Sequence, residues 1–516
     1  MKLSRPRIPA SHTEEQVKYA SFSEDYVKNI DMLKELFYFP ENQDFIIREL
    51  FIDSLQKKAT LFFLTGMSDV QTIESEILTP LMQQGAPLEK SVDSNEISSF
   101  LKNHIMSSQT VEEVETMEDG KKELLMGNSL LLVEGSKYPL RVTASGFEKR
   151  SVDRAQDENI LKGPKEAFIE SINVNISLVR KQLRSNELIT EYLTVGESGL
   201  SKVALLSMKD TVNPQLVEKV KKRISQIKKD EIQNLAILEQ HLEERPYSIV
   251  PTILYTERPD RAVSFLREGH IVILMDSSPS CLIAPVTFWS LFHTSEDYYS
   301  KWAYGNFSRI IRILAIFTTI LTPAIYIAAT NFHIEMLPTD LVLAISATRE
   351  RVPFPAIFEV VLLLVAFELI REGGIRVPSP IGPTIGIVGA LILGQAAVEA
   401  NIISPILVIV IAVTGLASFA VPNLSFTYMI RLSTYIFLIF GAFWGLFGIA
   451  LCMTMSISYL TSVKSFDVPF LSPMAPHYPS SKDMIIRPPL WKMWLRPLNI
   501  FPAENKRMSQ EEEDSK

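Results

Sequence analysis

A belt of about 160 mostly apolar residues, from residue 302 to residue 463, constrains this chain more than any other feature. A globular core of that length would alternate apolar and polar faces far more often, so the belt reads as membrane. Charge gathers on either side of it. The whole chain, 516 residues with 47% hydrophobic side chains and a formal charge of -8, therefore looks ordinary on average. The N-terminus, MKLSRPRIPASHTEEQVKYA, has no apolar h-region, so no cleaved signal peptide is visible. The large polar region before the belt is expected to stay in the cytoplasm.

Candidate spans are 309–330, 354–370, 382–399, 402–421 and the long run 430–462. A span takes roughly 20 apolar residues to cross a hydrocarbon core of about 30 Å. As one straight helix the last run would measure on the order of 50 Å, and each half alone is marginal. Five or six spans are expected. Lys301, Arg309 and Arg312 precede the first span, Arg371 and Arg376 follow the second, and Arg431 precedes the long run. Lys464, Lys482, Arg487, Lys492 and Arg496 follow it. All fall inside if the long run returns to its starting side. Arg349 and Arg351 break this scheme, and pairing with Glu350 or cover by protein is expected for them.

Before the belt, two stretches resemble each other. TLFFLTGMSD (60–69) and KVALLSMKD (202–210) each read as a strand and a turn, followed by a helical pattern. Each later returns as a second strand, GNSLLLVEGSKYPL (127–140) and GHIVILMDSSPSCL (269–282). Met67 and Asp69 match Met208 and Asp210 at an offset of 141; Gly127, Glu134 and Leu140 match Gly269, Asp276 and Leu282 at 142. Two blocks at nearly one offset imply a duplication. The fold class expected is an α/β N-terminal half of two tandem related subdomains with crossover helices, then an all-α polytopic membrane domain of five or six helices. The expected boundaries are 1–30 polar and disordered, 31–148 and 149–300 the subdomains, 301–462 the membrane domain and 463–516 a cytoplasmic tail. Pro164 suits the first position of a helix whose apolar stripe is Phe168, Ile172, Ile176, Val179 and Leu183.

Signs of catalysis are missing. There is no Walker A loop, no GxGxxG after a strand, no HExxH and no GxSxG. Two cysteines, Cys281 and Cys452, exclude a disulfide framework and a four-cysteine zinc site. Seven scattered histidines offer no ligand pair. Neither an enzyme, a metal nor a cofactor is expected. The basic run VEKVKKRISQIKK (217–229) keeps helical spacing, so it reads as a solvated helix face rather than a nucleic-acid surface. The paired acids Asp69/Asp210 and Glu134/Asp276 read first as strand-end or turn carboxylates.

Within the belt, Gly382, Gly386, Ala390 and Gly394 recur every four residues, a row of small side chains that lets another helix approach closely. Carboxylates there carry more information, because an ionised side chain in lipid costs several kcal/mol unless paired or hydrated. Glu359 and Glu368 are nine residues apart and point to opposite faces, so they do not both line one pore. Glu368 is placed for an i,i+3 ion pair with Arg371. Glu359 and Glu399 belong near the outer ends of neighbouring spans, where a symmetric oligomer would make each into a cation-favouring ring. Gln395, one turn before Glu399, adds polar lining or bonds another helix. Glu399, Gln395 and Glu359 are the ion-path candidates.

These residues resemble a known family. LKGPKEAF, TERPDRAVSFLREGHIVILMD, SEDYYSKW, ATRERVPFPAIFEVVLLLVAFELIREGGIRVP, GALILGQAAVEANIISPILVIVIAVTGLASF and SFDVPFLSPMAP, between about residues 150 and 480, are similar to the A-subunit family of GerA-type spore germinant receptors. The resemblance implies a multi-pass subunit of the spore inner membrane with its N-terminal domain toward the spore core. It implies two related α/β subdomains in the soluble half. It further implies a transporter-like, nutrient-binding B subunit and a lipoprotein C subunit as partners. Homo-oligomerisation, as a pentamer, would form a nutrient-gated cation channel whose opening starts germination. Two alternatives stand beside it: a non-conducting sensor and assembly scaffold, and the related paralogue associated with the dipicolinic acid channel.

Overall fold

A computed structural model of the chain describes residues 21–82, 97–102, 111–146, 158, 160, 162–376, 394–478 and 483–507. The duplication is plain in its sheets. β1 (Phe45–Ile52), β2 (Lys57–Leu64), β3 (Val111–Glu113), β4 (Ser129–Val133) and β5 (Leu140–Val142) form one sheet in the order β1-β2-β4-β5-β3. β6 (Leu188–Val195), β7 (Ser201–Met208), β8 (Leu254–Thr256), β9 (Ile271–Met275) and β10 (Cys281–Ala284) form the other in the order β6-β7-β9-β10-β8, the same topology. Every ladder in both sheets is antiparallel. The expected crossover helices are nonetheless present: β3 and β4 run parallel to each other on either side of β5 and are joined by helix Met117–Leu125, as β8 and β9 flank β10 and are joined by helix Pro259–Leu266. The central strands are buried along their length, LLLV in β4 and IVILM in β9, because both faces are covered.

Register corrects the repeat as well. Gly127 and Gly269 have φ of 90° and 95°, and a Cβ on each would crowd the carbonyl oxygens of Met67 and Thr211 respectively. Glu134 and Asp276 donate their backbone N–H to Lys58 and Lys202. The block at offset 142 therefore holds. The earlier block does not, since Met67 answers to Thr211 and not to Met208. Asp69 caps the turn of helix Val70–Thr72 as Asn213 caps helix Pro214–Ser225. The true offset there is 144, and a chemically dissimilar pair does one job. Asp276 also accepts a hydrogen bond from Ile172 N–H (3.2 Å), at the first turn of helix α1 (Ile172–Gln182). That helix begins eight residues after Pro164. Asn175 holds both backbone groups of Ile169 and so fixes the chain before the first turn.

After the second sheet come α2 (Trp302–Asn331), α3 (Thr339–Arg349), α4 (Ala356–Arg376), α5 (Pro405–Ser418) and α6 (Leu424–Ser462). Among the described residues two helices, α2 and α6, are long and apolar enough to cross a membrane. The five or six expected are not reached. α4 carries Glu359, Glu368, Arg371, Glu372 and Arg376, α5 has 14 residues, and most of 382–399 lies outside the described residues.

The run taken as 430–462 is a helical hairpin. At Gly445 the backbone turns to φ 57°, ψ −142°, a conformation open to glycine alone, and a Cβ would stand 3.0 Å from His333 Nε2. Ala324, Ala328, Phe437, Ile449 and Cys452 pack as one cluster, so the two halves lie side by side against α2. Phe426 and Val463, near opposite ends of α6, share a core with the second sheet. Both ends therefore return to the second sheet. Of the basic run, Lys219 pairs with Asp467 (2.7 Å), Lys221 with Glu191 (2.7 Å) and Arg223 with Glu244 (2.8 Å), as a solvated face would.

Candidate ion path and the polar junction beneath it

Two carboxylates of α4 face inward, Glu359 near its start and Glu368 past its middle, while Glu372 is exposed. Glu359 is buried, 1% exposed, at the end distant from the sheets. Its Oε2 accepts the Ser404 N–H (3.0 Å), just ahead of α5, and Oε1 lies 3.8 Å from Arg349 Nε at the end of α3. The cation that broke the orientation pattern thus neutralises a carboxylate under protein cover. Ile327, Val360, Ile403 and Leu407 surround this tie with apolar surface.

Nine residues further along α4, Glu368 has the Arg371 pair read from its spacing, at 3.7 Å. A second and closer partner was missed. Arg431 Nε donates to Glu368 Oε1 (2.9 Å), and its Nη2 pairs with Oε2, tying α4 to α6. Arg371 turns instead to Ser418 Oγ (2.7 Å), reaching α5. A 63-residue separation hides the Glu368–Arg431 pair from any local pattern.

Glu399 and Gln395 differ from both. They lie in the helical stretch 394–399, exposed, and Gln395 Nε2 donates to Glu399 Oε1 (2.9 Å) across one turn. Of the small-residue row, Gly382, Gly386 and Ala390 fall outside the described residues. Gly394 stands at ordinary contact distance from Val408 on α5, 3.6 Å from an added Cβ. The structure thus brings Gln395 and Glu399 together, and sets Glu359 apart in its own enclosed tie.

On the side of the sheets, a polar junction holds the base of α2. Arg309 and Arg312, 0% and 6% exposed, both bind Asp297, at 3.2 and 3.1 Å. Arg309 Nη1 also donates to Asp483 (2.5 Å), which accepts the Tyr298 hydroxyl as well. Burial pushes the Asp297 carboxyl upward, but Arg312 and Arg309 outweigh it and hold the group below the usual carboxylate range. His293 goes the other way. Burial and the Arg309 charge depress it to about 4, so a neutral ring meets the Met484 carbonyl at 2.6 Å. Positions 309 and 312 read in sequence as orienting flank charges, which hid their role as buried partners. Among the described residues no group of three or more His, Cys, Asp or Glu is placed to hold a metal ion.

The model of the Bacillus/Clostridium GerA spore germination protein family matches residues 31–499. The chain belongs to the GerA spore germination protein family. This GerA-family chain is 34% identical to spore germination protein KA of Bacillus subtilis (strain 168), over 91% of its own length and 86% of that protein's. It is 37% identical to spore germination protein A1 of the same organism (77% and 86%). Spore germination protein GerQA of Bacillus cereus is 33% identical (96% and 97%). Among solved structures, the crystal structure of the N-terminal domain of the A subunit of the Bacillus megaterium spore germinant receptor GerK3 is 26% identical. The match covers 52% of this chain and 98% of that one, with a TM-score of 0.38. The family is that of the A subunits of spore germinant receptors.

Proposed function

We propose that this chain is the membrane-embedded A-type subunit of a nutrient germinant receptor in the spore inner membrane, and that copies of it assemble as a ring, a pentamer, forming a cation channel. Nutrient bound by a transporter-like B subunit, with a lipoprotein C subunit alongside, opens it. The sheet-bearing half faces the spore core, and lipid surrounds α2 and the α6 hairpin. The observation that carries the conducting role is the contrast among the carboxylates. Glu359 and Glu368 are neutralised inside one chain by Arg349 and Arg431, whereas Glu399 is exposed beside Gln395. An exposed carboxylate in an apolar helical region costs several kcal/mol unless water or a neighbouring copy receives it. A ring of five such groups around water satisfies that demand and favours cations.

The test is potassium release from spores expressing Glu399→Gln at normal receptor levels. Release is expected to slow roughly tenfold, in keeping with loss of a charged ring. Normal release, together with a monomeric A subunit in the purified complex, would remove the ring reading.

A further inference from the structure

The C-terminal tail turns its charges inward and its isoleucines outward. Asp483 is held by Arg309, and Arg487 is 3% exposed. Between them Ile485 and Ile486 are 45% and 56% exposed. A tail designed for water would do the reverse. Its height along α2 is fixed by hydrogen bonds. Arg487 O accepts from Trp302 Nε1 (2.6 Å) and Asn306 Nδ2 (3.2 Å), and Arg487 N–H donates to Asn306 Oδ1 (2.7 Å). Residues 484–486 therefore run beside the first turns of α2, between the contact of Arg487 with Asn306 and that of Asp483 with the Arg309 guanidinium.

At that same level the outward face of α2 changes character. Phe307, Ile310, Leu314 and Phe317 are exposed at helical spacing and begin an apolar stripe that continues along the helix. Below it, Trp302 and Tyr304 are exposed aromatics and Lys301 is an exposed cation, and a few residues after Arg487 the tail again exposes Trp491 and Lys492. Apolar side chains at the foot of a span, with aromatics and lysines beside them, have the chemistry of the headgroup layer of an anionic membrane.

We propose that the segment Asp483–Lys492 is a membrane-surface anchor, with Ile485, Ile486 and Trp491 entering the headgroup layer beside the foot of α2. The inference rests on the membrane reading above. The anchor ties the lipid surface, through Asp483, to the junction of α2 with the second sheet, so the tail is part of the receptor's footing rather than a free appendage.

The test uses the full chain with Cys281→Ala and Cys452→Ala, reconstituted into phosphatidylglycerol-containing vesicles. Single cysteines replace Ile486, Ile485, Phe317 or Lys229 and carry an environment-sensitive fluorophore. Lipids bearing a spin label at the headgroup or deep in the acyl chain serve as quenchers. Labels at 485 and 486 are expected to be quenched about twofold more by the shallow lipid than by the deep one, as for an interfacial segment. The Phe317 label should show the opposite order, and the Lys229 label no quenching. If the Phe317 label is quenched while those at 485 and 486 are not, the anchor is refuted. Disulfide cross-linking between copies through position 486 would then assign the surface to a neighbouring subunit. An unquenched Phe317 label removes the membrane reading and the anchor with it.

Discussion

Glu368 has two cations within reach and uses the one far away in sequence. Arg431 makes the bidentate contact, while Arg371 stays at 3.7 Å and bonds Ser418. Replacing Arg431 by Leu leaves a partly buried carboxylate with the weaker partner, a loss on the order of 3 kcal/mol. Thermal unfolding of the detergent-solubilised chain should show it, and Arg431→Lys should restore part. His270 supplies a pH dependence. It is 3% exposed, its Nδ1–H meets the Pro285 carbonyl at 2.7 Å, and burial depresses its pKa to about 4. The folded state thus binds fewer protons than the unfolded one between about pH 6.5 and 4. Stability is fully present above 6.5 and is lost as pH falls through that window, by about 3 kcal/mol at its lower end. Melting temperatures from pH 7 to 4 should fall less steeply for His270→Leu. Neither partner of these residues was visible in sequence, because Arg431 and Pro285 reach them only through folding.

Among elements, the α6 hairpin depends on one residue. Gly445→Ala places a Cβ in a backbone region closed to it and 3.0 Å from His333, a cost of about 1–3 kcal/mol. Lower yield of folded chain and a lower melting temperature are expected, with Gly441→Ala milder, since its added Cβ would meet Ala324 at 3.1 Å. If Gly445→Ala assembled and melted like the parent, the break would be incidental. The length of the apolar run made one straight helix implausible, yet the position of the turn was not legible among the glycines at 441, 445 and 448. The sheets behave similarly. The strands of the repeat were read from their apolar runs, but the pairing direction was not, because an apolar run is equally compatible with a parallel or an antiparallel buried strand.

At the scale of the whole molecule, the two related sheets are joined by a buried ion pair, with hydrogen bonds beside it from Thr190 N–H to Asn42 Oδ1 (3.2 Å) and from Asn186 Nδ2 to the Leu36 carbonyl (3.0 Å). Arg180 and Asp44, both 0% exposed, are joined through two guanidinium nitrogens, and Arg180 also donates to the Leu188 carbonyl (2.8 Å). Arg180→Met strands Asp44 in the interior, at about 3–5 kcal/mol. Thermal unfolding of the reconstituted chain should then begin at a lower temperature than in the parent. The double variant with Asp44→Leu should recover much of the loss, since an apolar pair leaves no buried charge. The sequence by itself determined that an apolar belt follows a duplicated polar half, that no catalytic or metal motif is present, and that membrane carboxylates demand partners. Those conclusions rest on local composition, spacing and solvation cost. The tertiary structure alone decided which cation answers each carboxylate, that the long run doubles back, and that the tail crosses the foot of α2. Each of these joins residues far apart along the chain, and sequence pattern carries no distance between them.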